Sequence, residues 1–188
     1  MTKQEAPLER ILAYLRFRQV AKKIINKSVI DFGCGVDGWN AIDMDKFGAR
    51  LVHGVDISLN EAKYKSKNIV LYPSINCLPH NDYQIITAFA VLEHIDPCDI
   101  KTILKSLREV TSYDCVMWGT TPSPMSRTLL ELLSYRLKLI DQSQIDEHKV
   151  YYDDLWIRFI LRDTGWYLYS YQKFQFFAIL FATKLAVP

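Results

Sequence analysis

The stretch Ser28-Val29-Ile30-Asp31-Phe32-Gly33-Cys34-Gly35-Val36-Asp37-Gly38-Trp39 constrains this chain more than any other. A β-branched apolar run ends in an acid and then in two glycines one residue apart. That is the pattern of a buried parallel strand that turns sharply and delivers bare backbone to a ligand. A second acid, Asp56, closes the next apolar run, Leu51-Val52-His53-Gly54-Val55. It lies about twenty residues on, the spacing at which a carboxylate on the neighbouring strand tip can hydrogen-bond a ribose diol. Two tips would then face one nucleoside. Glycine pairs also serve turns for steric reasons alone, so the spacing by itself leaves a plain turn open.

The rest of the chain alternates strands with helices around that turn. Residues 8–25 read as a leading helix within 1–26, with Leu8, Ile11, Leu12, Leu15 and Ile24 on one stripe and Arg10, Arg16, Arg18, Lys22 and Lys23 around it. Residues 39–47 read as a helix stopped by Gly48, Leu51–Val55 as the second strand, 61–67 as a short polar helix and Ile69–Tyr72 as the third strand. The segment 73–81 is too rich in turn formers for regular structure. Residues 84–90 form the fourth strand. Ile100, Ile103, Leu104, Leu107 and Val110 mark an amphipathic helix, and 114–120 the fifth strand. A helix over 153–163 follows, ended by Gly165, then a hairpin of 166–174 with 176–185. Such alternation implies right-handed βαβ units and a parallel sheet.

Between the fifth strand and that last helix, 123–146 is a lid-like insertion. Its segment 125–140 carries Leu129, Leu130, Leu133, Leu137 and Ile140 on one stripe. It can shape an apolar substrate pocket, contact a membrane surface or a second copy, or join the core.

With 188 residues, 49% of them hydrophobic, the chain can bury one core, and a single domain over 1–188 is expected. A net charge of +2 gives no global pull towards nucleic acid. Cys34, Cys77, Cys98 and Cys115 show no CxxC spacing, which argues against a zinc site or a disulfide framework. The first residues lack an apolar signal core, and no apolar run approaches the roughly 18 residues that cross a bilayer. The expected compartment is the cytoplasm.

Asp31-Phe32-Gly33-Cys34-Gly35, then Val55-Asp56, Leu78-Pro79 and Val91-Leu92-Glu93-His94-Ile95, in that order, resemble the class I S-adenosylmethionine-dependent methyltransferases. The chain is most like the branch acting on small molecules, lipids and sugars (type 11-like), over about residues 29–166. The resemblance implies a Rossmann-like α/β fold: a mostly parallel seven-stranded sheet, an antiparallel final hairpin and helices on both faces. It implies S-adenosylmethionine as cofactor, leaving as S-adenosylhomocysteine. Gly33, Cys34 and Gly35 would admit its amino-acid part, and Asp31 would hold the turn and take the ammonium directly or through water. Asp56, with Ile57 beside it, would take the ribose, Ser74 and Ile75 would border the adenine, and Phe89 and Ala90 the methionine part. The acid that the family often places at the adenine is replaced by Ser74. The glycine pair ahead of the fifth strand is replaced by Thr111-Ser112-Tyr113, and the third glycine of the turn is displaced to Gly38, after Asp37.

Methyl transfer from a sulfonium asks mainly for positioning and exclusion of water. A hydroxyl acceptor would also profit from a general base, for which His148 is the first candidate and His94 the second. Glu93 and His94 also read as a helix-start pair that holds the loop by hydrogen bonds. The fourth strand ends Phe89-Ala90-Val91-Leu92, without the Asn/Asp-Pro-Pro-aromatic run of enzymes that methylate base amines. The expected partner is a small amphipathic acceptor, a sugar or lipid-linked glycan intermediate, with peripheral membrane contact through the lid. Two other readings stay open: an inactive cofactor- or partner-binding protein, and an RNA methyltransferase, which the near-neutral charge disfavours.

Overall fold

A computed structural model describes residues 7–79, 82–124, 149–174 and 178–185. Among them, four helices, α1 (Pro7–Arg18), α2 (Trp39–Lys46), α3 (Ile100–Glu109) and α4 (Asp154–Leu161), pack on one sheet. Its strands are β1 (Ser28–Phe32), β2 (Leu51–Val55), β3 (Lys63–Ser66), β4 (Ile69–Tyr72), β5 (Tyr83–Phe89), β6 (Thr111–Pro122), β7 (Trp166–Phe174) and β8 (Ala178–Leu185). They lie in the order β3-β4-β2-β1-β5-β6-β8-β7. The five central strands are parallel, β8 runs antiparallel to β6, and β7 pairs antiparallel with β8 as the sequence predicts.

Both faces are covered, which is why the central strands are apolar without strict alternation. On one face Phe17, Ile24, Val29, Met44, Val52 and Ile85 form a core beneath α1 and α2. On the other, Ile30, Ile86, Leu104, Met117, Ile157 and Trp166 pack beneath α3 and α4. Adjacent residues such as Val29 and Ile30 thus serve opposite cores.

Three expectations are corrected. Residues 61–67 do not form a helix: Lys63–Ser66 is the edge strand β3, pairing antiparallel with β4, so the sheet has eight strands rather than seven. The segment has no apolar stripe for a helix to bury, and every residue of β3 is exposed. It takes its order from pairing with β4, while its lysines suit an unprotected sheet edge. Asn68 fixes the connection, its side-chain amide reaching Asp45 Oδ1 at 3.1 Å and its N–H Ser66 Oγ at 3.2 Å. The leading helix ends at Arg18 rather than continuing to 25; Val20, Ala21 and Ile24 are buried in the turns that follow. Thr111-Ser112-Tyr113, expected ahead of the fifth strand, is instead the start of β6, with Ser112 Oγ donating to Tyr83 O at 3.0 Å across a register shift.

The lid segment 125–140 and most of the insertion around it lie outside the described residues. No helix among the described residues is long and apolar enough to cross a membrane.

Candidate functional site

From β1 the chain moves outward through β2 and β4, then returns to β5 and proceeds to β6 on the other side. The strand order reverses between β1 and β5, and the space beyond the carboxyl ends of such strands is where open α/β sheets bind ligands.

Main-chain bonds hold the first tips. Gly33 N–H donates to Val55 O at 2.8 Å, and Gly35 N–H to Asp56 Oδ2 at 2.7 Å. The other oxygen of Asp56 accepts from Ser58 N–H at 2.9 Å, and Leu59 is buried just beyond. One carboxylate therefore organises both loops, and each of its oxygens keeps a lone pair for a ribose hydroxyl. Gly33 and Gly35 both have φ near +70°, at 76° and 69°. A Cβ on Gly33 would lie 2.5 Å from Val91 Cγ2, whereas one on Gly35 would meet nothing within 4 Å. Gly33 is fixed by packing; Gly35 leaves open space.

Asp31 is buried beneath the turn. Thr87, its register partner on β5, donates to Oδ1 at 2.8 Å, while Oδ2 has no hydrogen-bond partner. Burial lifts its carboxyl from 3.8 to about 7; Thr87 pulls it down and Asp56 adds to the rise. A positive group placed there would relieve that burial cost. Cys34 is buried, its thiol held well above the usual range by burial and by Asp31 and Asp56.

At the tip of β4, Ser74 Oγ accepts from Asn76 N–H at 3.1 Å and caps a one-turn 3-10 helix, Ile75–Cys77. Ile75 is half-buried against the core, whereas Ile57 is 94% exposed. Phe89 is buried, and Ala90 takes a left-handed conformation, φ 53°, with its N–H bonded to Thr120 O at 2.9 Å. Such backbone in a non-glycine residue marks a turn held by its surroundings. The chain then makes a 3-10 turn, Leu92–His94.

Asp31, Gly33, Cys34, Gly35, Asp56, Phe89 and Ala90 thus meet at adjoining tips, with Ser74 and Ile75 one strand further out. His94 is half-buried in the 3-10 turn, and His148 lies outside the described residues. Glu93 and His94 stand in that 3-10 turn. The turn has no side-chain cap; Glu93 anchors the loop through its carbonyl, which accepts from Lys149 N–H at 2.8 Å, and its carboxyl is buried. Thr87 and Val91 escape a motif reading because their roles depend on partners far along the chain. The β-pairing of Thr87 with Asp31 is the signal that reveals the first.

The residues present fit S-adenosylmethionine on three counts: an unpartnered buried oxygen on Asp31 for a cation, open space over Gly35, and spare lone pairs on Asp56. Among the described residues no cluster of three or more His, Cys, Asp or Glu could hold a metal, and the four cysteines are free.

A family model described as a methyltransferase domain matches residues 3–171. No curated protein sequence matches. Among solved structures, the pyocyanin biosynthetic protein PhzM superposes with a TM-score of 0.68 at 12% identity, over 93% of this chain and 55% of its own, so this chain spans about half its length. The 1,6-didemethyltoxoflavin-N1-methyltransferase of Burkholderia thailandensis, with bound 1,6-didemethyltoxoflavin and S-adenosylhomocysteine, gives 0.66 at 11% identity, over 100% and 93%. The magnesium protoporphyrin IX methyltransferase of Synechocystis PCC 6803, with bound S-adenosylhomocysteine, gives 0.64 at 16% identity, over 94% and 83%. At these identities the likeness establishes a shared Rossmann-like methyltransferase fold.

Proposed function

The chain belongs to the methyltransferase-domain family, and from that premise we propose that it transfers a methyl group from S-adenosylmethionine to a small-molecule acceptor. The observation that carries this reading is the junction of the first two tips, Gly35 N–H on Asp56 Oδ2 at 2.7 Å, above a buried Asp31 with one oxygen to spare. When bound, the cofactor supplies a sulfonium methyl carbon open to in-line attack. The chain supplies the rest. Asp56 orients the ribose, Asp31 receives the ammonium, and Gly35 lets the amino-acid part lie against main chain. Ser74 and Ile75 border the adenine; the Ser74 hydroxyl accepts from Asn76 N–H and keeps its own O–H to donate there. Phe89 and Ala90 flank the methionine part, and the tightly bonded turns exclude water from it.

The acceptor in this reading is a small amphipathic molecule, a sugar or lipid-linked intermediate, met on the cytoplasmic side within a single catalytic domain. If its nucleophile is a hydroxyl, His148 or His94 takes the proton. Substituting Asp56→Ala removes a charged acceptor from the ribose and frees two loop N–H groups. It should weaken S-adenosylmethionine binding by roughly a hundredfold, from about 3 kcal/mol of lost hydrogen bonding. His148→Ala should leave affinity within about twofold and lower turnover instead, by roughly a hundredfold or more. Calorimetry that finds equal affinity losses in the two variants overturns this division of roles.

A further inference from the structure

We propose that Glu93 is the acceptor-recognising group of this site: its buried carboxyl, beside the Thr121 hydroxyl, receives a hydrogen bond from a hydroxyl or ammonium group of the methyl acceptor. The inference rests on the methyltransferase reading and names the chemistry that its second substrate must present.

Position supports it first. Glu93 follows Val91 by two residues, and Val91 is the side chain against which Gly33 is packed. The 3-10 turn bearing Glu93 therefore follows directly on the residue that packs against the glycine turn. The turn is also rigid. Ala90 N–H bonds to Thr120 O at 2.9 Å, Lys149 N–H to Glu93 O at 2.8 Å, and Tyr152 O–H to Leu92 O at 3.4 Å. Those bonds hold the turn through its main chain, and the carboxyl of Glu93 adds a contact with its own main-chain amide.

That carboxyl is enclosed. Glu93 is 1% exposed, and Oε2 has no hydrogen-bond partner. Among the described residues, Arg16 of α1, Thr121 at the end of β6 and Tyr152 ahead of α4 interact with it. Thr121 is near enough to pull the carboxyl down as a hydrogen-bond donor does, though neither its Oγ1 nor Glu93 Oε2 makes a bond of strict geometry. Two unpartnered polar atoms thus adjoin on neighbouring strand ends. Burying such atoms without a bond costs stability, which makes them the mark of a site completed by something else. Burial also holds the Glu93 carboxyl up near 7, against the downward pull of its own main-chain amide, Arg16 and Thr121, so it accepts hydrogen bonds in its ionised form just above neutral pH.

The chemistry selects the ligand class. A carboxylate offers only acceptors, and a threonine hydroxyl can add one acceptor or one donor. An acceptor molecule with an O–H or N–H donor satisfies the carboxylate; an ether can accept from Thr121 but leaves the carboxylate unpaired, and a phosphate or carboxylate at that point is repelled.

The test uses protein loaded with S-adenosylhomocysteine and three matched probes: benzyl alcohol, benzylammonium and benzyl methyl ether. At pH 8, ligand-observed NMR should show the alcohol and the ammonium binding at least about tenfold tighter than the ether. Glu93→Gln, which keeps the shape and one acceptor oxygen, should erase the ammonium preference and weaken that for the alcohol. Glu93→Leu should erase both. A purely structural Glu93 would alter thermal stability and leave the order of the probes unchanged. Equal binding of all three probes to the wild type, no binding of any, or an unchanged order in both variants overturns the proposal. Failure of S-adenosylhomocysteine itself to bind the wild type overturns the methyltransferase reading, and this inference with it.

Discussion

At the tips of β1 and β2 the polar atoms are bonded to one another: Gly33 N–H to Val55 O, Gly35 N–H to Asp56 Oδ2, Ser58 N–H to Asp56 Oδ1. At the tips of β5 and β6, on the other side of the switch point, Glu93 Oε2, Thr120 Oγ1 and Thr121 Oγ1 are buried with no hydrogen-bond partner among the described residues. The first region is already tied together through main chain and the Asp56 carboxylate, with Asp31 Oδ2 beneath it left over. The second holds side-chain groups whose bonding is left over. A site that binds one constant cofactor can rely on backbone, which any sequence supplies once its turns are set. A site that must distinguish one acceptor from another needs side chains, and their satisfaction waits on the ligand.

The sharpest way to break this contrast is a pair of glycine substitutions within the first region. Gly33→Ala forces a Cβ to 2.5 Å from Val91 Cγ2 at φ 76° and should cost about 4 kcal/mol of stability, read by chemical denaturation. Gly35→Ala meets no atom within 4 Å and should cost only its left-handed backbone, about 1 kcal/mol, while filling part of the space proposed for the cofactor. Its loss should appear in cofactor affinity. Equal stability losses would mean that Gly35 is packed rather than open.

A somewhat smaller effect probes the second region. The folded Glu93 carboxyl is raised from 4.5 to about 7, so between those values the native state holds a proton that the unfolded chain has released. Its contribution to stability is therefore fully present below about 4.5 and lost as pH climbs to 7, on the order of 3 kcal/mol. Glu93→Gln should flatten this part of the stability profile: close to wild type at pH 4.5, more stable than wild type at pH 8. Thermal unfolding across that range that shows the same slope in both proteins would place a partner on the carboxyl and end the contrast. Asp31 responds with the same sign, and cofactor binding should diminish its share.

The smallest effect comes from outside both regions. Asn68→Ala removes one bond from Asn68 Nδ2 to Asp45 Oδ1 and should cost about 1 kcal/mol without changing cofactor affinity. A change in affinity would show that the β3–β4 hairpin belongs to the site.

Much of the first region was legible in the sequence. Asp31, Gly33, Gly35 and Asp56 form a local pattern because a strand end, a glycine turn and a strand-tip acid are each written within a few consecutive residues. The antiparallel β7–β8 hairpin is legible for the same reason, since its apolar runs lie side by side in the chain. The second region was not. Glu93 and His94 read as a loop-holding pair, and the burial of the Glu93 carboxyl beside Thr121 and Tyr152, within the field of Arg16, joins residues far apart in the chain.

What the sequence by itself determined is the order of buried strands and the conformational freedom at Gly33 and Gly35, because burial on both faces and a positive φ are demands on single residues and their neighbours. The tertiary structure decided that residues 63–66 become an edge strand, that Thr87 serves Asp31, and that Glu93 loses its water. Each of those outcomes depends on atoms brought together from distant positions along the chain, where no local pattern reaches.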